Sequence, residues 1–131
     1  MIDLHGVLDQ DVFFYQNFLS LFIQNGHEIF ICSGPTYKKI YDEITVLGYI
    51  QNQHYTKILS VTDFLIEKNV DHYFDSIGNF WTADPIWWSS KGEIAKIFNI
   101  DLMIDDTEKY GINVPQTTKF FQVRKGDPIN V

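Results

Sequence analysis

Near its start the chain reads MIDLHGVLD, which places one carboxylate at Asp3, an imidazole at His5, a glycine at Gly6 and a second carboxylate at Asp9. Three further stretches carry reactive groups. Ser33, followed by Gly34, ends the apolar run EIFIC. Lys91 stands in SSKGEIAKI, and Asp105 with Asp106 closes DLMIDD. A carboxylate of this kind can attack phosphorus and form an aspartyl-phosphate. That reaction joins two anions, so it requires a cation, and Mg²⁺ held by one or two carboxylates and several waters suits the task. A hydroxyl, backbone amides and a lysine would steady the phosphoryl oxygens. Plainer readings stand beside these: Ser33 as the cap of the following helix, Lys91 as a solvated helix residue, Asp9 as a solvated loop acid. Two adjacent acids at a strand end are harder to explain blandly, because an unpaired carboxylate is costly to bury.

The elements that must position these groups alternate along the chain. Residues 1–4 read as a very short strand, since only two residues precede Asp3. Apolar residues at helical spacing predict a helix over 14–23 that stops at Gly26. Residues 28–32 read as a strand buried on both faces. A second helix follows over 37–47, ended by Gly48. The stretch 48–58 is irregular or a short edge strand, and Ser60 with Asp63 forms a capping box opening a helix to Asn69. A third strand is predicted over 70–74, then a loop rich in Trp, Gly and Pro. Ser90 with Glu93 reads as a second capping box, opening a helix through Phe98. Strands over 101–106 and 118–123 follow, and 124–131 reads as a loose tail. The alternation predicts one α/β domain over 1–131: a three-layer, Rossmann-like fold with a central parallel sheet of about five strands and helices on both faces. In such sheets a ligand sits beyond the C-terminal strand ends. Asp3, His5, Ser33, Asp105 and Asp106 all fall there in this reading.

Composition excludes several function classes. The chain has 131 residues and a net charge of −7, with no cluster of Lys or Arg. Binding a nucleic-acid backbone needs such clusters, so nucleic acid is not an expected partner. A single cysteine, Cys32, cannot form an internal disulfide, and no Cys/His set has zinc-site spacing. With no basic leader and no apolar run long enough to span a bilayer, a cytoplasmic location without membrane contact is expected.

In the order and approximate spacing of these motifs the chain resembles the haloacid dehalogenase superfamily of phosphohydrolases. The first motif appears as Asp3-Leu4-His5-Gly6-Val7-Leu8, the second as Ser33, the third as Lys91, and the fourth as Asp105-Asp106. The resemblance covers nearly the whole chain. It implies a Mg²⁺-dependent phosphatase, a phosphoric monoester hydrolase, with Asp3 as nucleophile and metal ligand. Ser33, Gly34 and Lys91 would then contact the phosphoryl group, and Asp105 and Asp106 would hold the metal. His5 would offer the metal its backbone carbonyl. Its side chain stands where the family's phosphatases carry an acid/base aspartate. Imidazole as a class is a competent proton donor and acceptor near neutral pH. It is also longer than aspartate, and as a cation it is unfavourable beside Mg²⁺. The alternative reading is therefore a catalytically impaired member that binds a phosphorylated ligand or a protein partner. A phospho-accepting receiver is excluded by motif order, since receivers place their paired acids on the first strand and their lysine last. A dehalogenase would need a cap to exclude water. Between Asp3 and Ser33, and between Phe74 and Lys91, there is too little chain for a cap domain. A capless site implies a large substrate or a neighbouring subunit as lid. Trp81, Trp87 and Trp88 would then stack on a substrate, enter a homo-oligomer interface, or pack on the domain's own core.

Overall fold

A computed structural model describes residues 1–124; of the tail over 124–131 all but Arg124 lies outside the described residues. Four helices and six short strands alternate in the order α1 (Val12–Gln24), β1 (Phe30–Ser33), α2 (Tyr37–Val46), β2 (Lys57–Ser60), α3 (Val61–Glu67), β3 (His72–Phe74), β4 (Phe80–Thr82), α4 (Asp84–Ile97), β5 (Leu102–Asp105) and β6 (Lys119–Gln122). Local chemistry sets most of the boundaries. Asp11 opens α1 by accepting a hydrogen bond from the Phe14 amide at 3.1 Å, and Gly26, at φ 83°, follows its end. The Ser60 hydroxyl accepts from the Asp63 amide at 3.0 Å, the predicted cap of α3. Asp63 in turn accepts from the Tyr37 amide at 2.9 Å, so one side chain ties the start of α2 to α3.

The expected central sheet of about five parallel strands is not what forms. Among the described residues there are three two-stranded sheets: β1 with β2, parallel; β5 with β6, parallel; and β3 with β4, antiparallel. The physical reason lies at the chain's start. Met1–Asp3 is too short for a ladder, and Ile2 makes only single bridges, to Ile31 on one side and Ile104 on the other. The Ile2 amide donates to the Phe30 carbonyl at 2.8 Å, and the Asp3 amide to the Ile104 carbonyl at 2.9 Å. The two parallel pairs thus meet across a three-residue seam. Around β1 the core divides by strand alternation. Ile31 packs with Leu19, Ile40 and Ile44 of α1 and α2, whereas Cys32 packs with Val61, Leu65 and Ile94 of α3 and α4.

Two further expectations change. The third strand does not lie beside the others. It folds back as a hairpin, because the Asp75 carboxylate gathers the amides of Ile77 at 3.0 Å and Asn79 at 2.8 Å, and Gly78 supplies φ 86°. Instead β2, which begins in the last two residues of the stretch read as irregular or a short edge strand, pairs with β1. The Trp-rich loop is also mostly ordered structure. Pro85 suits a first helical turn, so α4 opens at Asp84 rather than at Ser90. Ser90 lies inside that helix, with its hydroxyl on the Trp87 carbonyl at 2.6 Å, and caps nothing. The three tryptophans consequently occupy three environments. Trp81 stacks on Tyr73 on an exposed hairpin face, Trp87 packs beside the Cys32 cluster, and Trp88 borders the cleft described next. No helix among the described residues is long and apolar enough to cross a membrane.

Candidate active site

Asp3 sits at the end of the seam between β1 and β5, where its carboxylate accepts from the Leu4 amide at 2.9 Å. The chain then turns through Leu4–Leu8 with His5 extended and Gly6 left-handed at φ 85°. Leu4, Val7 and Leu8 are wholly buried and anchor this loop. Gly6 is required twice over. Its φ disfavours other residues, and a Cβ there would fall 2.0 Å from the Asp106 Oδ2 atom. The Gly6 amide donates to Asp9 Oδ1 at 2.8 Å, so Asp9 fastens the loop rather than standing free.

Lys91, on α4, is 1% exposed and reaches two carboxylates, Asp105 Oδ2 at 2.6 Å and Asp3 Oδ1 at 3.1 Å. Its ammonium also lies 4.3 Å from the centre of the Tyr110 ring. Asp105 accepts from the Thr107 amide at 2.9 Å, and Asp106 from the Thr107 hydroxyl at 3.2 Å. Burial disfavours every charge here, but the neighbours decide the outcome. Burial pulls the Lys91 ammonium down, and the carboxylates of Asp3 and Asp105 outweigh it and hold its pKa above the ordinary value. Asp3 is raised as well, but for a carboxyl a raised pKa disfavours the charged form. Burial and the nearby Asp105 push its carboxyl up to about 6 against the pull of Lys91. The two shifts are compatible, because one ammonium shared by two carboxylates cannot neutralise both. Burial likewise pushes the Cys32 thiol up to about 12, which fits an inert core thiol.

The metal proposal can be tested against this geometry. One oxygen from each of Asp3, Asp105 and Asp106 lies within 4.8 Å of the others. Adjacent ligand oxygens on an octahedral Mg²⁺ are about 3 Å apart and opposite ones about 4 Å. The three acids therefore reach one ion directly or with a water between. With all four groups ionised, three carboxylates and one ammonium leave two negative charges, which a divalent cation would balance. The donors are all hard oxygens, as Mg²⁺ prefers. The residues present fit the ion.

Ser33 ends β1, buried, with its hydroxyl 3.4 Å from His5 Nδ1. The Gly34 carbonyl accepts from the Thr62 amide and hydroxyl at 3.1 and 2.6 Å, and a Cβ on Gly34 would press on the Trp87 ring at 3.1 Å. The other nitrogen of His5, Nε2, meets Glu43 Oε2 of α2 at 2.6 Å, and both side chains are about half exposed. The imidazole thus spans from the end of β1 to α2.

Asp3, His5, Ser33, Gly34, Lys91 and Asp106 border one open cleft of about 450 Å³, and Asp105 lies behind it as the partner of Lys91. The residues singled out in the sequence are brought together. Glu43, Thr107 and Tyr110 belong to the same assembly and carried no spacing signal: Glu43 is 38 positions from the histidine it meets. Thr107, next to the acid pair, was the one a reader could have found. A larger hollow of about 700 Å³ lies elsewhere, lined by residues such as Met1, Phe18, Phe22 and Phe98, and shares none of these groups. No protein-family model matches the chain, and no curated protein or solved structure matches it.

Proposed function

We propose that the chain is a Mg²⁺-dependent phosphohydrolase of the haloacid dehalogenase type, acting on a phosphomonoester through an aspartyl-phosphate at Asp3. One observation carries the reading: a buried lysine bridges two of three clustered acids in a cleft that also holds a strand-end serine. Asp3, with its pKa at about 6, is mainly ionised at neutral pH and available to attack. Lys91 remains charged, fixes the Asp3 carboxylate and faces the incoming phosphoryl oxygens. The Ser33 hydroxyl supplies a further donor from the end of β1. Bound at the three acids, Mg²⁺ would supply the charge that lets two anions approach. Attack of Asp3 on phosphorus expels the alcohol, which needs a proton; water then attacks the aspartyl-phosphate, which frees inorganic phosphate and restores the carboxylate. The test is turnover of phenyl phosphate and metabolite phosphates with and without Mg²⁺, in the wild type and in Asp3→Asn. Metal-independent turnover, or turnover that survives Asp3→Asn, overturns the reading.

His5 favours a second reading. Both its ring nitrogens have neighbours, Ser33 and Glu43, so the group in the acid/base position is committed to a bridge between β1 and α2. A cleft so arranged would bind a phosphorylated ligand and turn it over slowly or not at all. His5→Asp separates the two. It raises turnover if the histidine is a degraded site and lowers it if the histidine transfers the proton.

A further inference from the structure

The proposed phosphohydrolase leaves one wall of the cleft unexplained. Lys91 and Trp88 stand three residues apart on α4, so both project from one helix face. Side chains lean toward the helix N-terminus, and burial falls in that direction, from Lys91 fully enclosed to Trp88 half-buried to Asp84 exposed. Trp88 therefore lies on the way out of the cleft, about 4.5 Å along the helix axis from the lysine by the ordinary rise per residue. Its ring is held rather than loose. Tyr110 meets it edge-on at 4.9 Å and 65°, and the Lys109 ammonium lies 5.1 Å from its centre. Gly92 makes that clamp possible. A Cβ there would fall 2.3 Å from the Asn113 carbonyl oxygen, so only glycine lets the segment carrying Lys109 and Tyr110 close on α4. Trp88 is among the residues that line the cleft, so a ring held in this way stands where the substituent of a phosphate beside Lys91 would emerge.

We infer that Trp88 is a specificity-determining residue and that the substrate's leaving group carries a planar aromatic ring that stacks on it. This rests on the phosphohydrolase reading for its orientation: phosphate toward Asp3 and Lys91, ring toward the mouth. An aryl alcohol and a nucleoside share that chemistry, differing in whether the ring joins the ester oxygen or lies one sugar away. Stacking on an aromatic side chain is worth enough to change affinity roughly tenfold or more per ring.

The experiment compares adenosine 5′-monophosphate, phenyl phosphate and glycerol 3-phosphate on the wild type, Trp88→Leu and Trp88→Phe. Adenosine 5′-monophosphate and glycerol 3-phosphate share a primary alcohol leaving group, so their comparison isolates the ring. Trp88→Leu should lower kcat/KM for a ring-bearing ester about tenfold through KM and leave glycerol 3-phosphate unchanged. Trp88→Phe should restore most of the loss. A loss confined to phenyl phosphate assigns an aryl alcohol, and one confined to the nucleotide assigns a nucleoside. Equal losses on all three esters, or none, overturn the proposal. Tryptophan fluorescence keeps this test separate from the parent reading. Quenching by adenosine 5′-monophosphate that disappears in Trp88→Phe supports the stacking wall even if no ester is hydrolysed, in which case the phosphohydrolase reading falls alone. Turnover without quenching and without a ring-dependent loss sinks the stacking wall alone.

Discussion

Lys91 with Asp105 and His5 with Glu43 are pairs of equal length, 2.6 Å, at the same cleft, and the environments around them differ completely. The first pair has side chains 2% and 1% exposed; the second, 48% and 45%. Exposed pairs gain little, because water screens the attraction and two side chains lose freedom to make it. In a buried pair the charges have already been taken from water, so removing one partner strands the other. Separation alone therefore says nothing about which contact matters. The lysine is a condition for folding with charged acids inside, whereas the histidine bridge is an adjustable feature of the rim.

The sharpest way to break this contrast is Lys91→Met, which fills similar volume but strands Asp3 and Asp105. It should cost about 3–5 kcal/mol at pH 7.5, read from the urea midpoint, and less at pH 4, where Asp3 is protonated. A loss under about 1 kcal/mol would mean that the two pairs are equivalent.

Asp3→Asn probes the same centre from the other side. Turnover should fall to background, yet the metal-free protein should become more stable at pH 7.5, by on the order of 2 kcal/mol. The sign follows from the raised pKa. An acid that moves from 3.8 unfolded to about 6 folded favours the fold only while protonated. Its contribution is complete below about 4 and is lost as pH rises through about 6. The gap between wild type and Asp3→Asn should therefore close as pH falls to 4, in melts recorded across that range. A variant less stable than wild type at pH 7.5 without metal contradicts the assignment.

Millimolar Mg²⁺ should reverse the penalty. At ten times its Kd it would stabilise the wild type by about 1.4 kcal/mol, visible as a higher Tm. The rise should be smaller at pH 5, where Asp3 holds its proton, and smaller again in Asp106→Asn. An equal rise in that variant would place the ion elsewhere. The least effect belongs to the rim: Glu43→Gln should change stability by less than about 1 kcal/mol in thermal or urea unfolding, and a larger loss would show that the exposed pair is structural.

The part of the site legible in the sequence is the part built from strand ends. Asp3, Ser33, Asp105 and Asp106 follow apolar runs, and a parallel strand pair carries such termini to one edge. Lys91 was legible as a residue but not in its surroundings. Its helix begins at Asp84, and the Ser90–Glu93 spacing imitated a cap that Pro85 made unnecessary. The hairpin was hidden because Asp75, an unremarked turn acid, outcompeted sheet pairing for residues 72–74. Glu43 and Tyr110 were out of reach, since their contacts depend on how α2 and the segment after Asp106 dock. The five-strand expectation failed at its middle member, where three residues replace a strand.

That three-residue seam also sets an order for folding. The terminal amine of Met1 donates to the Leu102 carbonyl, a partner 101 positions downstream, and Asp3 meets Ile104. Residues 1–3 are therefore enclosed only when residues 102–104 are in place. Contacts between such distant residues form slowly, so α1, β1, α2 and β2 can assemble while the opening segment remains undocked. Among the described residues the clustered acids are Asp3, Asp105 and Asp106, so the cluster is incomplete until β5 joins the seam. The proposed metal site is thus one that the folding chain acquires only once β5 has docked beside residues 1–3.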